Sequence, residues 1–262
     1  MPTNYSTIVI TGASSGIGAA LARAFAAPGV TLCLIARDAE RLRTVADACR
    51  EKGAAVEISL VDVRDPVMTR YMLEKFDDRH PVDLLIANAG VSAGLAPGDK
   101  PEAEGVSRRL MEINYGGMLN TVEPMLPRLI ARRRGHVALV SSLAALRPQP
   151  DLPSYSATKM AVRGYGIALR GWLRSYGIRV SVVYPGFVTS PMSARHVGYK
   201  PFEISAEKAA AHIADRLRRG RGVIAFPFLL TLGTMLNMLL PPALSDWTNR
   251  GFRARVEPDD GR

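Results

Sequence analysis

The sequence predicts a single α/β domain built on a doubly wound parallel sheet of about seven strands flanked by helices. Three observations carry that prediction. Short β-branched and aliphatic runs recur along the chain, longer segments with helical periodicity separate them, and the short runs are continuously apolar instead of alternating. Continuous apolarity marks strands covered on both faces, and strand–helix alternation returns each strand parallel to the last through a right-handed crossover. A chain of 262 residues, 47% hydrophobic and 22% charged, suits one large domain with a substantial core.

The elements follow in order. "TIVIT" (7–11) reads as the first strand, and "GAALARAFAA" (18–27) as a helix behind a glycine-rich turn. "TLCLIA" (31–36) is the second strand; the helical "DAERLRTVADACREKG" (38–53) opens on a capping Asp and stops at a Gly. "AVEISLV" (55–61) and "VDLLIA" (82–87) are further strands, and the span 101–134 carries helical periodicity. "HVALVS" (136–141), the helical "SYSATKMAVRGYGIALRGWLRSYG" (154–177), "RVSVVYP" (179–185) and a seventh strand "GVIAF" (222–226) complete the series.

Composition narrows the function. The net charge is +10, but the basic clusters "ARRRG" (131–135) and "RLRRGRG" (216–222) end helical patterns before a Gly, where cations complement the helix dipole. No aromatic-interleaved basic stripe exists, so nucleic acid is not an expected partner. Cys33 and Cys49 make no disulfide or metal framework, and His80, His136, His196 and His212 have no zinc spacing; they are read as structural, and no metal is expected. No signal peptide is evident, so a cytoplasmic protein is expected.

In such a sheet, ligands bind beyond the carboxyl ends of the strands. "TGASSGIG" (11–18) directly follows the first strand and opens a helix; Gly12, Gly16 and Gly18 permit a tight turn and close approach of a pyrophosphate to the helix N-terminus. The spacing differs from the G-x-G-x-x-G fingerprint, yet its position points to a dinucleotide. An NAD site usually places an acidic residue at the end of the second strand; this chain has Ala36 then Arg37, and a guanidinium suits the 2′-phosphate of NADP(H). "VDV" (61–63), "NAG" (88–90) and "YPGFVT" (184–189) also follow strands. Asp62 either holds the adenine amino group or caps a helix.

These motifs, with Asn114 in "MEINYGG", Ser142 after "HVALVS", Tyr155-x-x-x-Lys159 and Pro185-Gly186, occur in the order and spacing of the short-chain dehydrogenase/reductase family, which the chain resembles from about residue 6 to 190. The resemblance implies one Rossmann-type NAD(P)-binding domain over 1–262, with a substrate loop at 187–204 and an apolar C-terminal extension at 223–262. It implies a catalytic tetrad of Asn114, Ser142, Tyr155 and Lys159. The implied cofactor cradle comprises Gly12, Ser14, Ser15, Gly16, Ile17, Gly18, Arg37, Asp62, Val63, Asn88, Ala89, Gly90, Tyr155, Lys159, Pro185, Gly186, Val188 and Thr189. In that scheme Tyr155 protonates a carbonyl oxygen as hydride arrives, and the Lys159 ammonium lowers the phenol's pKa and bonds the nicotinamide ribose. Ser142, 13 residues before Tyr155, bonds the same oxygen in preference to Ser141, and Asn114 holds a water linking Lys159 to solvent.

The expected function is an NADP(H)-dependent oxidoreductase interconverting a carbonyl and a secondary alcohol. The alternatives are an NAD-linked alcohol dehydrogenase and a non-catalytic dinucleotide-binding regulator; a regulator has no need of Tyr155 with Lys159. A small-molecule carbonyl or alcohol substrate and a homo-oligomer, dimer or tetramer, are the expected partners. The uncharged run 222–245 contains "FLLTLGTMLNMLLPP". Its helical piece, 228–240, would be about 20 Å long, short of the ~30 Å hydrocarbon core. Thr231, Thr234 and Asn237 form one polar strip on it. It reads either as a helix packed on the domain or another subunit, or as an apolar lid over a hydrophobic, lipid-like substrate with peripheral membrane contact.

Overall fold

A computed structural model describes residues 3–96, 98, 100–241, 243–244 and 255–256. The chain runs β1 (Thr7–Thr11), α1 (Gly16–Phe25), β2 (Thr31–Ala36), α2 (Ala39–Arg50), β3 (Ala55–Leu60), α3 (Pro66–Arg79) and β4 (Leu84–Ala87). There follow α4 (Val106–Met111), a π-helical turn (Glu112–Gly116), α5 (Gly117–Val122), α6 (Leu126–Arg132), β5 (Gly135–Val140), α7 (Pro153–Leu173) and β6 (Ile178–Pro185). The last elements are α8 (Pro191–Ala194), β7 (His196–Val197), α9 (Ala206–Arg218), β8 (Val223–Phe226), α10 (Phe228–Asn237) and β9 (Arg255–Val256). Seven strands make one sheet in the order β3-β2-β1-β4-β5-β6-β8, every pair parallel. The seven expected strands are those seven, with ends shifted by one or two residues. An unexpected antiparallel pair, β7 with β9, lies outside the sheet.

Side chains alternate across the sheet into two buried layers, which is why the strand runs are apolar throughout. Ile8, Ile10, Leu32 and Leu34 pack with α1, α2 and α9 on one face; Val9, Cys33, Leu85 and Leu139 pack with α3, α5, α6 and α7 on the other. Helix α3 carries no clear sequence stripe because Val67, Met68 and Tyr71 face solvent while Leu73 and Phe76 are buried. Asp65 starts it by accepting from Val67 N at 3.0 Å and Met68 N at 2.9 Å, with Pro66 at the tolerant first position. A buried ion pair joins α3 to α6: Asp77 accepts from Arg132 at 2.6 and 2.8 Å. Burial raises the Asp77 carboxyl most, but the hydrogen bonds and charge of Arg132 outweigh it and hold the acid below its ordinary range.

The tail corrects two expectations. Helix α10 ends at Asn237, not residue 240, so it is about 15 Å long at 1.5 Å per residue. Its orientation is the reverse of an ordinary amphipathic helix: Thr231, Thr234 and Asn237 are buried, whereas Phe228, Leu229, Leu232 and Leu236 are exposed. The threonines tolerate burial because their hydroxyls donate back to Pro227 O (2.9 Å) and Leu230 O (2.7 Å). Among the described residues no helix is long and apolar enough to cross a membrane. Of the extension at 223–262, residues 242, 245–254 and 257–262 lie outside the described residues.

Candidate active site

The strand order changes direction between β1 and β4, and the crevice there is where an open α/β sheet takes its ligand. The two strand ends are tied together by side chains. Thr11 Oγ1 accepts from Asn88 N (3.1 Å) and Ala89 N (3.2 Å), while Asn88 Nδ2 donates to Thr11 O (3.0 Å) and Gly12 O (3.3 Å). Gly12 and Gly16 have φ of +67° and +52°, which explains glycine at both. A Cβ on Gly18 would sit 2.3 Å from Gly12 O, so the third glycine serves helix–strand packing and does not line the cleft. Helix α1 begins at Gly16 with no side-chain cap and no acidic residue in its first turn. Its free N–H groups and positive dipole end therefore fit a pyrophosphate, with Ser14, Ser15 and Ile17 beside them on the cleft wall.

The cleft has a volume of about 1030 Å³. Tyr155 and Lys159 reach its floor from one face of α7, with Lys159 Nζ 5.8 Å from the Tyr155 ring centroid. Lys159 is only 5% exposed, and its Nζ donates to Val140 O at 3.1 Å. Burial pushes its pKa down to about 8, leaving most of it protonated at neutral pH. Burial also pushes the Tyr155 phenol up, against a smaller lowering by the Ser142 hydroxyl. That reverses the direction expected from the lysine charge alone, because desolvation acts on both groups.

Ser142 lines the cleft at the end of β5, and its Oγ accepts from Ala144 N at 3.1 Å, leaving its own proton to donate. Ser141 faces away: its hydroxyl donates to Lys159 O at 2.8 Å. Asn114 lies behind the cleft wall, its amide accepting from Val91 N (2.7 Å) and donating to Val91 O (2.9 Å) and Thr158 Oγ1 (3.0 Å). The side chain is thus fully engaged, and the π turn around it loosens the main-chain ladder instead. A Cβ on Gly90 would sit 3.0 Å from Asn114 Oδ1 and 3.3 Å from Lys159 Nζ, so glycine is what lets this corner close.

At the far end of the cleft, Arg37 is half exposed and 3.6 Å from Asp62. Asp62 caps no helix; Arg64 grips it through Nε (3.0 Å), Nη2 (2.7 Å) and its backbone N (2.9 Å). Partial burial raises its carboxyl, but Arg64 and Arg37 outweigh that and lower it. Arg41, in the first turn of α2, lines the same region and was not anticipated; its Nε donates to Asp38 Oδ2 at 2.7 Å. Val63, Ala89, Pro185, Gly186 and Val188 line the cleft. Thr189 does not: it is exposed, with its N donating to Ile204 O at 2.9 Å, which closes the base of the 187–204 loop.

The opposite half is lined by residues for which the sequence carried no motif. Leu143, Leu152, Leu230, Leu236 and Leu240 make it apolar, and Arg147, Gln149 and His196 add polar groups. His196 packs its ring edge-on to Phe187 with centroids 5.6 Å apart, and burial lowers its pKa, so it is neutral at physiological pH. Among the described residues no three His, Cys, Asp or Glu side chains could hold a metal.

A parallel sheet with a glycine-rich turn at its switch point and a Tyr–Lys pair in the crevice, its lysine buried, defines an α/β nucleotide-cleft protein. The family follows from comparison: residues 6–198 match the short chain dehydrogenase family model, and the chain belongs to that family of oxidoreductases. An oxidoreductase of Myxococcus xanthus is 33% identical over 251 residues, covering 95% of this chain and 98% of that one. A short-chain dehydrogenase of Sphingobium yanoikuyae, solved in complex with NADPH, superposes with TM-score 0.77 at 26% identity, covering 91% of this chain and 97% of the other. One from Mycobacterium paratuberculosis bound to NAD superposes with TM-score 0.73 at 26% identity, covering 84% and 95%.

Proposed function

We propose that the protein is an NADP(H)-dependent oxidoreductase that interconverts a carbonyl and a secondary alcohol on an apolar substrate. What supports this most is the placement of Tyr155 and Lys159 together on the cleft floor, the lysine almost wholly buried. A burial cost of that size needs a return beyond packing. Gly12, Ser14, Ser15, Gly16 and Ile17 would hold the pyrophosphate, Arg37 and Arg41 a 2′-phosphate, Asp62 the adenine amino group, and Lys159 the nicotinamide ribose. Val63, Asn88, Ala89, Gly90, Tyr155, Pro185, Gly186 and Val188 complete the proposed cradle.

When bound, the dinucleotide supplies or takes up the hydride. The chain's own part is proton transfer and positioning. Tyr155, held protonated by burial, gives its phenolic proton to the carbonyl oxygen; the Lys159 ammonium stabilises the phenolate left behind; Ser142 donates a second hydrogen bond to the same oxygen. With its side chain engaged, Asn114 would contribute through its main chain, holding a water that links Lys159 to solvent. The apolar wall from Leu143, Leu152, Leu230 and Leu236 suits a hydrophobic substrate. The outward face of α10 supports contact with a second subunit or a membrane surface, which gel filtration with and without lipid vesicles separates.

The Arg37–Asp62 contact favours one rival, an NAD-linked dehydrogenase, because the guanidinium already has a counter-ion. The test is a carbonyl and alcohol panel, spanning long-chain, steroid-like and small polar compounds, run with both cofactors at the nicotinamide absorbance. Turnover with NADPH at tenfold or more over NADH is expected; dinucleotide binding without turnover on any compound would return the regulator reading.

A further inference from the structure

The cleft contains a cation that the proposed chemistry does not use. Arg147 lies five residues past Ser142, beyond the short turn Leu143–Ala145, with its backbone N bonded to Leu143 O at 3.1 Å. The next stretch is anchored beside Tyr155, since Gln149 N donates to Ser156 Oγ at 3.0 Å. Arg147 is therefore carried on the segment that joins Ser142 to Tyr155, and its side chain lines the cleft.

Its guanidinium has two buried nitrogens, Nε and Nη2, with no hydrogen-bond partner. Among the described residues no carboxylate pairs with it and no aromatic ring lies under it. A guanidinium with two nitrogens out of water and unbonded is costly, and burial accordingly lowers its pKa. Nε and Nη2 are the two donors on the side edge of the group. That edge has the geometry to hold two oxygens of a carboxylate or phosphate; Arg64 here uses the same two atoms to hold one carboxylate oxygen, Asp62 Oδ2. Two further buried atoms lining the same cleft lack partners: Gln149 Oε1 and His196 Nε2. A neutral imidazole can donate, and a χ3 rotation turns the Gln149 amide nitrogen inward.

We propose that Arg147 anchors the substrate: the carbonyl compound carries a carboxylate or phosphate that binds the Nε–Nη2 edge, while its apolar body lies along Leu143, Leu152, Leu230 and Leu236. This rests on the oxidoreductase reading above and names the substrate class for it, an amphipathic anion instead of a neutral lipid. Gln149 and His196 complete the anion's shell. The anion is supplied by the ligand, which explains why the protein leaves the edge unpaired.

The test is calorimetric titration of the full chain, saturated with NADP⁺, using three ligands of equal chain length: decanoate, decyl phosphate and decanamide. At least one anion should bind roughly tenfold to a hundredfold tighter than the neutral amide, as for a charge-assisted bidentate contact. Which anion does so distinguishes carboxylate from phosphate. Arg147→Gln should bring the anion-to-amide ratio to near one, and Arg147→Lys should retain part of it. Arg147→Gln should melt no lower than the wild type, because the guanidinium makes no bond to lose. Equal binding of all three ligands, or no binding of either anion, overturns the proposal, as does a ratio that survives Arg147→Gln. A fall in dinucleotide affinity in Arg147→Gln with the ratio intact would also overturn it, by assigning the arginine to the cofactor. Failure of NADPH and NADH alike to bind the wild type defeats the oxidoreductase reading instead, so the two failures are separable.

Discussion

Replacing Tyr155 by Phe removes one oxygen from the cleft floor and keeps the ring, so it isolates the proton donor. Burial pushes the phenol up, so the wild-type group is protonated at neutral pH and ready to donate. Loss of a positioned general acid costs about 10²–10⁴ in rate, or about 3–5 kcal/mol of barrier. The fold should lose no more than about 1 kcal/mol, the net worth of one hydrogen bond. Dinucleotide affinity should hold, because Lys159 and the glycine turn are untouched. Lys159→Met should lose both rate and affinity and leave Val140 O without its 3.1 Å partner, a destabilisation of about 1–3 kcal/mol. The double variant should be little slower than either single one, since both disable one proton-transfer unit.

A pH series adds an independent sign. The Lys159 ammonium, depressed to about 8 from 10.5, is present below pH 8 and lost above it. Turnover supported by it should fall above pH 8. Stability should move the other way between pH 8 and 10.5, because the unfolded chain still holds the proton that the folded one has shed. The gain is at most about 3 kcal/mol, and Lys159→Met should abolish it. Initial rates at the nicotinamide absorbance and urea melts at each pH measure both. A Tyr155→Phe enzyme turning over at the wild-type rate would remove Tyr155 from the mechanism.

Arg37→Ala should weaken NADPH relative to NADH by roughly tens-fold, and Ala36→Asp should shift preference to NADH; equal wild-type affinities for both cofactors would refute the role of Arg37. Leu236→Ser, inside the cleft, should reduce kcat/KM for apolar substrates, whereas Leu232→Ser, outside it, should alter only association with subunits or vesicles. His136 accepts or donates at Tyr5 and Ser181 and is pushed down to about 3 by burial, so the unfolded state binds a proton that the folded state refuses. Stability should therefore fall as pH drops from 6.5 towards 3, at about 1.4 kcal/mol per pH unit from this group, and His136→Gln should flatten that slope in urea melts. Gly18→Ala would press a Cβ within 2.3 Å of Gly12 O and should cost about 1–3 kcal/mol or more in stability; an unchanged melting temperature would contradict the packing role.

Much of the fold is legible in the sequence. The seven strands were legible because burial on both faces writes itself as unbroken apolar runs. The glycine turn was legible because φ above zero demands glycine at Gly12 and Gly16. Helix α3 was harder, since Val67, Met68 and Tyr71 blur its stripe, and its stability comes from the Asp65 cap and the Asp77–Arg132 pair.

Local spacing by itself determined which residues share a helical turn or a strand end, and so it placed Tyr155 beside Lys159 and Ser142 at the end of its strand. Those relations depend only on backbone geometry within a few residues. Only the tertiary structure decided what each side chain meets from elsewhere in the chain. It gave Ser141 to the carbonyl of Lys159, engaged Asp62 with Arg64, turned Thr189 away from the cleft, and set the polar strip of α10 inward with Phe228 and Leu232 outward. It also left two buried guanidinium nitrogens of Arg147 without a partner. Burial and pairing are properties of contacts between distant segments, and a side chain's type fixes what it can bond but not whether a partner is within reach.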